Sequence, residues 1–134
     1  YRKQAKDYRL KNVKFLDTTS DIGKIHKFLN TLNVYAHGRS DGEQCSSSII
    51  EGMSHSLPMI SHTAPSMGQR EQIGNAGKVV EGYEDYANEM NKLMHDKDYY
   101  IQCMNNSGKR YEEIYNVPSI ISRFIGLYKE ASNA

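Results

Sequence analysis

The chain has little of what several functional classes need. It holds two cysteines in 134 residues. Cys45 and Cys103 stand far apart, with neither metal nor redox spacing, which fits a reduced, cytoplasmic setting. No apolar run approaches about 18 residues, so no segment reads as a membrane-spanning helix. The first residues carry no signal-peptide pattern. Neither sign of charge dominates, with 17 Lys and Arg against 16 Asp and Glu. Bulk electrostatics therefore gives no reason to expect nucleic acid as a partner. No His, Cys and Asp cluster has metal-ligand spacing. Ser46-Ser47-Ser48 lacks the strained Gly-x-Ser-x-Gly elbow of hydrolases. There is no internal repeat and no low-complexity segment.

What is present is an alternation of two periodicities. A chain of this length builds one domain around one core. Tyr1 to Arg9 reads as the tail of a helix, with Arg2, Lys3, Lys6, Arg9, Lys11 and Lys14 as a basic cluster. That cluster reads as a solvated face, with a peripheral contact to anionic lipid headgroups as the open alternative. Strands are predicted at Val13–Leu16, Val34–His37, Met59–Ser61 and Lys78–Val80. Between them, Ile22, Ile25, Phe28, Leu29 and Leu32 recur at helical spacing, and a helix runs to about His55 with Ile49, Ile50 and Met53 inward. From about residue 83 onward the chain is helical and packs on the sheet. One stripe is Tyr83, Tyr86, Ala87, Met90, Leu93 and Met94; a last helix, capped by Ser119 after Pro118, carries Ile120, Ile121, Phe124, Leu127 and Tyr128. Strands alternating with helices imply an α/β fold, a Rossmann-like parallel sheet with helices on both faces.

The most informative stretch runs from Gly42 to Met53. Two acids, Glu43 and Glu51, are separated by seven residues, with Gln44-Cys45-Ser46-Ser47-Ser48-Ile49-Ile50 between them. A strand precedes and a helix begins within this stretch. A helix N-terminus at the carboxyl end of a parallel strand presents free N–H groups and positive dipole, a ready anion site. Glu51 lies opposite the apolar side of that helix, with Ser47, Ser48 and His55. Taken alone, Glu43 is a solvated loop acid and Glu51 an exposed helix acid; their ordered context gives them roles. His37 reads as a strand-end residue, and His62 and Arg70 as loop surface.

That context resembles a known family. Phe15 to Asp21, Asn33 to Ser40, Gly42-Glu43 to Glu51-Gly52-Met53, Leu57-Pro58-Met59-Ile60, and Glu71-Gln72-Ile73-Gly74 to Val80 follow the order found in the C-terminal domain of family 4 retaining glycosyltransferases. The resemblance covers most of the chain. It implies a B-type fold of two Rossmann-like domains, of which this chain is an incomplete C-terminal, donor-binding one. By position, Glu43 would take hydrogen bonds from donor-sugar hydroxyls and serve as the catalytic-site acid. Glu51 would hold ribose hydroxyls. Backbone N–H groups around Cys45, Ser46, Ser47 and Ser48 would meet the sugar and diphosphate, and Thr19 would line the base pocket. No cofactor or metal is expected, because the helix N-terminus carries the leaving diphosphate. The implied partners are a nucleotide-sugar donor and a glycan or lipid-linked acceptor held by an N-terminal domain.

The departures are specific. Gln44, Cys45 and Ser46 stand where the family has a small residue, Phe and Gly, and Ser56 replaces the usual Gly before the Leu-Pro strand. The Arg and Lys that clamp the diphosphate are expected before Tyr1, as is the acceptor domain, so this chain alone is expected to be inactive. Two rival readings stand beside transfer. One is a degenerate, non-catalytic domain serving as a scaffold or partner-binding module. The other is a nucleotide-sugar epimerase of the same two-domain fold.

Overall fold

A computed structural model describes residues 1–38, 44–63 and 68–133. The sheet is organised around a strand buried on both faces. Leu57 to Ser61 are all buried, and an apolar strand of this kind needs a neighbour on each side. It is β2 (Met59–His62), set between β1 (Tyr35–His37) and β3 (Gly77–Val80), and both pairings are parallel. Met59 lies opposite Tyr35 and Gly77, and Ser61 opposite His37 and Val79.

Helices complete the order: α1 (Arg2–Asp7), α2 (Ile22–Leu29), α3 (Ser47–Ser54) and α4 (Gly68–Ile73), with a 3₁₀ turn at Gly74–Ala76. Beyond β3 come α5 (Tyr83–His95), α6 (Lys97–Arg110), a π-turn at Tyr111–Tyr115, and α7 (Val117–Ser132). Side chains alternate across β2. Met59 joins Leu29, Ile49, Met53, Leu57, Ile73 and Ala76 in the core on one side. On the other side His62 stacks on Tyr86 of α5, ring centroids 4.7 Å apart. The sheet thus carries helices on both faces.

Two close approaches fix α3 and β3. A Cβ on Gly52 would stand 2.7 Å from Met59 Cε and 3.0 Å from the Tyr35 ring, so α3 lies flat on β1 and β2. A Cβ on Gly77 would meet the Met59 carbonyl oxygen at 1.7 Å, which no residue but glycine tolerates there.

Three expectations are corrected. Val13–Leu16 forms no strand: Val13 is 45% and Leu16 52% exposed, and the three-stranded sheet does not include the segment. Alternation supplies a face, but a strand also needs a neighbour for its N–H and C=O groups. The last helix starts before Pro118, not after it. Asn116 is its cap, accepting the Ser119 N–H at 2.9 Å, while the Ser119 hydroxyl donates to Glu112 O. Proline lacks an N–H and so fits the first turn. The expected inward stripe of α5 is only partly inward. Tyr83 and Met94 are exposed, whereas Glu89 is buried beside Leu93. The Glu89 carboxylate takes the Tyr99 hydroxyl at 2.5 Å and lies 3.8 Å from Lys78 Nζ, which makes its burial tolerable. The apolar residues of α7 are exposed, Phe124 at 57% and Leu127 at 61%.

Candidate functional site

The carboxyl end of β1 leads through the loop into α3, whose first residues therefore lie at the edge where the strands end. Ser46 is the N-cap in extended conformation (φ −100°, ψ 120°), and its carbonyl accepts the first helical bond from Ile50 N–H at 3.3 Å. Its side chain does not cap. The Ser46 and Ser48 hydroxyls pair with each other at 2.8 Å instead. The N–H groups of Ser47, Ser48 and Ile49 belong to the first turn, which has no acceptor within its own helix.

The Ser46 peptide groups are held from across the site. Gln72 of α4 accepts the Ser46 N–H through Oε1 at 2.9 Å and donates through Nε2 to Ser46 O at 2.8 Å. The same Nε2 lies 3.5 Å from Cys45 Sγ. The start of α4 is equally close: a Cβ on Gly68 would fall 2.1 Å from the Gln44 carbonyl oxygen. Gln72 is itself fixed through its backbone. Its carbonyl accepts Arg110 Nε at 2.8 Å and the Tyr115 hydroxyl at 3.2 Å, and Arg110 Nη2 also donates to Glu71 O. These bonds satisfy carbonyls at the end of α4 that the helix leaves open.

The residues expected from sequence divide into three groups. Cys45, Ser46, Ser47 and Ser48 come together at the start of α3; Cys45 and Ser47 are exposed, Ser48 is half-buried and Ser46 is buried. Glu51 is exposed, one turn further along the same helix, three residues from Ser48. Thr19 lies just before α2, its hydroxyl accepting the Asp21 N–H at 3.1 Å. Glu43 lies outside the described residues. Gln72, Arg110 and Tyr115 were not foreseen. A signal existed for the first: Gln69, Gln72, Ile73 and Ala76 share helical spacing, so a glutamine on that stripe goes inside. All four are buried.

Aromatic rings gather at His62, the last residue of β2. His62 meets the Tyr83 ring edge-on at 5.3 Å as well as stacking on Tyr86. Burial, with Tyr35 adding, pushes the Tyr86 phenol up to about 12, so it stays protonated at neutral pH. Arg70 is exposed on α4. Among the described residues, no three His, Cys, Asp or Glu gather into a group that could hold a metal ion, and no helix is long and apolar enough to cross a membrane.

The comparison with known proteins supplies the family. Residues 1–110 match the family model of the glycosyl transferases group 1. The chain belongs to that family. No curated protein matches it. Among solved structures, the crystal structure of Anabaena Alr3699/HepE in complex with UDP-glucose superposes with a TM-score of 0.76 at 19% identity. The match covers 96% of this glycosyltransferase domain and 35% of the Anabaena chain, so the domain spans about a third of that protein's length. At that identity the likeness is one of fold, an α/β architecture shared over nearly the whole domain.

Proposed function

We propose that this domain binds the donor of a retaining glycosyltransferase of the family 4 kind, which moves a sugar from a nucleoside-diphosphate carrier to a hydroxyl of a glycan or lipid-linked glycan. The observation that carries the reading is the start of α3 within a group 1 glycosyltransferase domain: first-turn N–H groups at a strand's carboxyl end, and the exposed Glu51 one turn beyond. The Anabaena protein of like fold is described in complex with UDP-glucose, which makes UDP the first nucleotide to try.

In this reading the diphosphate sits against the Ser47, Ser48 and Ile49 N–H groups. The helix end favours the charge that grows as the sugar–oxygen bond breaks, by about 0.3–2 kcal/mol. Glu51 accepts both ribose hydroxyls, Thr19 borders the base, and Glu43 takes sugar hydroxyls as the oxocarbenium-like centre forms. The reaction is assigned to the cytoplasm, and the basic residues of α1 form a solvated face, with contact to anionic lipid headgroups as the alternative. The domain alone is catalytically silent, since holding acceptor against donor supplies a large share of such a rate.

The test is calorimetric titration of the full-length protein with UDP-glucose, UDP, GDP and ADP. Glu51→Gln keeps the shape but weakens charged hydrogen bonds, so donor affinity should fall by about 1–2 kcal/mol, roughly 5- to 30-fold. Unchanged affinity would remove Glu51 from the site.

A further inference from the structure

Resting on the donor-site reading above, we infer that Gln72 is a positioning residue for the diphosphate: its side-chain amide sets the direction of the first-turn N–H groups of α3, and Arg110 and Tyr115 hold Gln72 in place. Gln72 is 2% exposed and its side-chain amide is taken up by the Ser46 peptide groups and the Cys45 sulfur, so it acts through the start of α3 rather than on a ligand.

The geometry goes beyond loop packing. An amide side chain that bonds both the N–H and the C=O of one residue behaves like a neighbouring strand. It fixes the peptide planes on both sides of Ser46 at once. Ser46 is the hinge between the loop and the helix, since its own carbonyl already receives Ile50 N–H. The orientation of the next peptides, which carry the Ser47 and Ser48 N–H groups, follows from it. A donor displaced by a fraction of an ångström loses much of a charged hydrogen bond. The other end of the chain of contacts is equally determined. The Arg110 guanidinium spans two successive carbonyls, Glu71 O and Gln72 O, and Tyr115 adds a second donor to the latter. Gly74, at φ +54°, lets the chain turn beneath that guanidinium, where a Cβ would stand 2.8 Å from Arg110 Cζ. The Ser46 N–H is thus committed to Gln72, and the anion is left to Ser47, Ser48 and Ile49.

A merely structural glutamine and a positioning one differ in what they do to a diphosphate as against a nucleoside. The full-length protein is titrated with whichever of UDP, GDP and ADP binds best, and with the matching nucleoside. Gln72→Met keeps the volume and removes both bonds. The expected result is at least tenfold weaker binding of the nucleoside diphosphate, nucleoside binding within twofold of wild type, and a donor KM raised by the same factor. Diphosphate affinity within twofold of wild type, or equal losses for diphosphate and nucleoside, overturns the inference. Should Gln72→Met not fold, Arg110→Lys reads the same coupling from the far end: it keeps the charge but cannot span two carbonyls. Diphosphate binding should then weaken at least threefold with nucleoside binding unchanged, and an unchanged diphosphate affinity again overturns the inference. Wild-type protein that binds none of the three nucleotides would overturn the donor-site reading itself.

Discussion

The C-terminal end of α3 offers the sharpest test of the backbone reasoning. Ser56 has φ +55°, in the left-handed region, and follows the helix C-cap His55. Its N–H bonds Met53 O at 2.8 Å while Leu57 N–H bonds Gly52 O at 3.2 Å, the paired closure of a Schellman motif. That position ordinarily belongs to glycine. A left-handed conformation costs a residue with a Cβ about 1–2 kcal/mol. Glycine returns about 0.5–1 kcal/mol of this through its freer unfolded chain. Ser56→Gly should therefore stabilise the domain by about 0.5–1 kcal/mol.

The neighbour across the contact turns this into a coupling experiment. A Cβ added at Gly108 in α6 would stand 2.5 Å from Ser56 Oγ and 3.4 Å from Ser56 Cβ. Alone, Gly108→Ala gains about 1 kcal/mol of helix propensity and loses a comparable amount to that clash. Its net effect should be near zero. With Ser56→Gly present the clash is gone and the propensity gain remains, so the double variant should exceed the sum of the singles by about 1 kcal/mol. Urea unfolding of the four proteins measures this; with a slope of about 1–3 kcal/mol per molar, 1 kcal/mol moves the midpoint by roughly 0.3–1 M. Ser56→Gly that destabilises, or single effects that add within about 0.5 kcal/mol, would refute the argument.

Other outcomes follow from the site and from the α2–α3 contact. Glu43→Ala in the full-length protein should lower turnover strongly while nucleoside-diphosphate binding stays nearly intact; equal losses in both would show that Glu43 serves the nucleotide rather than the sugar. Stability should also depend on pH through His55. Its Nδ1–H donates to Asn30 Oδ1 at 2.7 Å, so its Nε2 is the acceptor for His26 Nδ1–H, also at 2.7 Å, and protonation would set N–H against N–H. Burial first, and then His26, hold the His55 pKa below its ordinary 6.5. The unfolded chain thus takes up the proton first, and stability, complete above pH 6.5, is lost as the pH falls from there through the lowered folded value. Urea midpoints from pH 7.5 to 5 read this loss, and His26→Ala should flatten it; a slope unchanged in that variant would exclude the pair as its source.

Much of the fold was legible because the strands alternate with helical stripes and the central one carries a local signal of its own. Met59-Ile60-Ser61 is apolar enough to be buried. Val13–Leu16 shows the limit of such a signal without a partner. Lys-Phe-Leu alternation is visible in one segment, but pairing depends on what lies beside it. The same limit appears in α5. Periodicity placed Tyr83 and Met94 inward, yet beside Leu93 the buried position belongs to Glu89, because Tyr99 on α6 and Lys78 on β3 reach it. A cross-element partner of that kind leaves no trace in the local pattern.

The site divides along the same line. Spacing located the start of α3 and put Glu51 on its outward side, because both are properties of one helix. It could not place Gln72 against Ser46, which lies 26 residues away and meets it only through the β2 crossover. That contact bears directly on the replacement of the family's small residue, Phe and Gly by Gln44, Cys45 and Ser46. Glycine would be required at position 46 if the backbone were left-handed there, or if a side chain would stand exposed over the first turn. Neither holds. Ser46 has φ −100°, which any residue adopts, and its hydroxyl is turned to Ser48 while the residue is 2% exposed. The serine therefore adds no exposed group in front of the Ser47 and Ser48 N–H groups, and the conformation that glycine would have left free is held by Gln72.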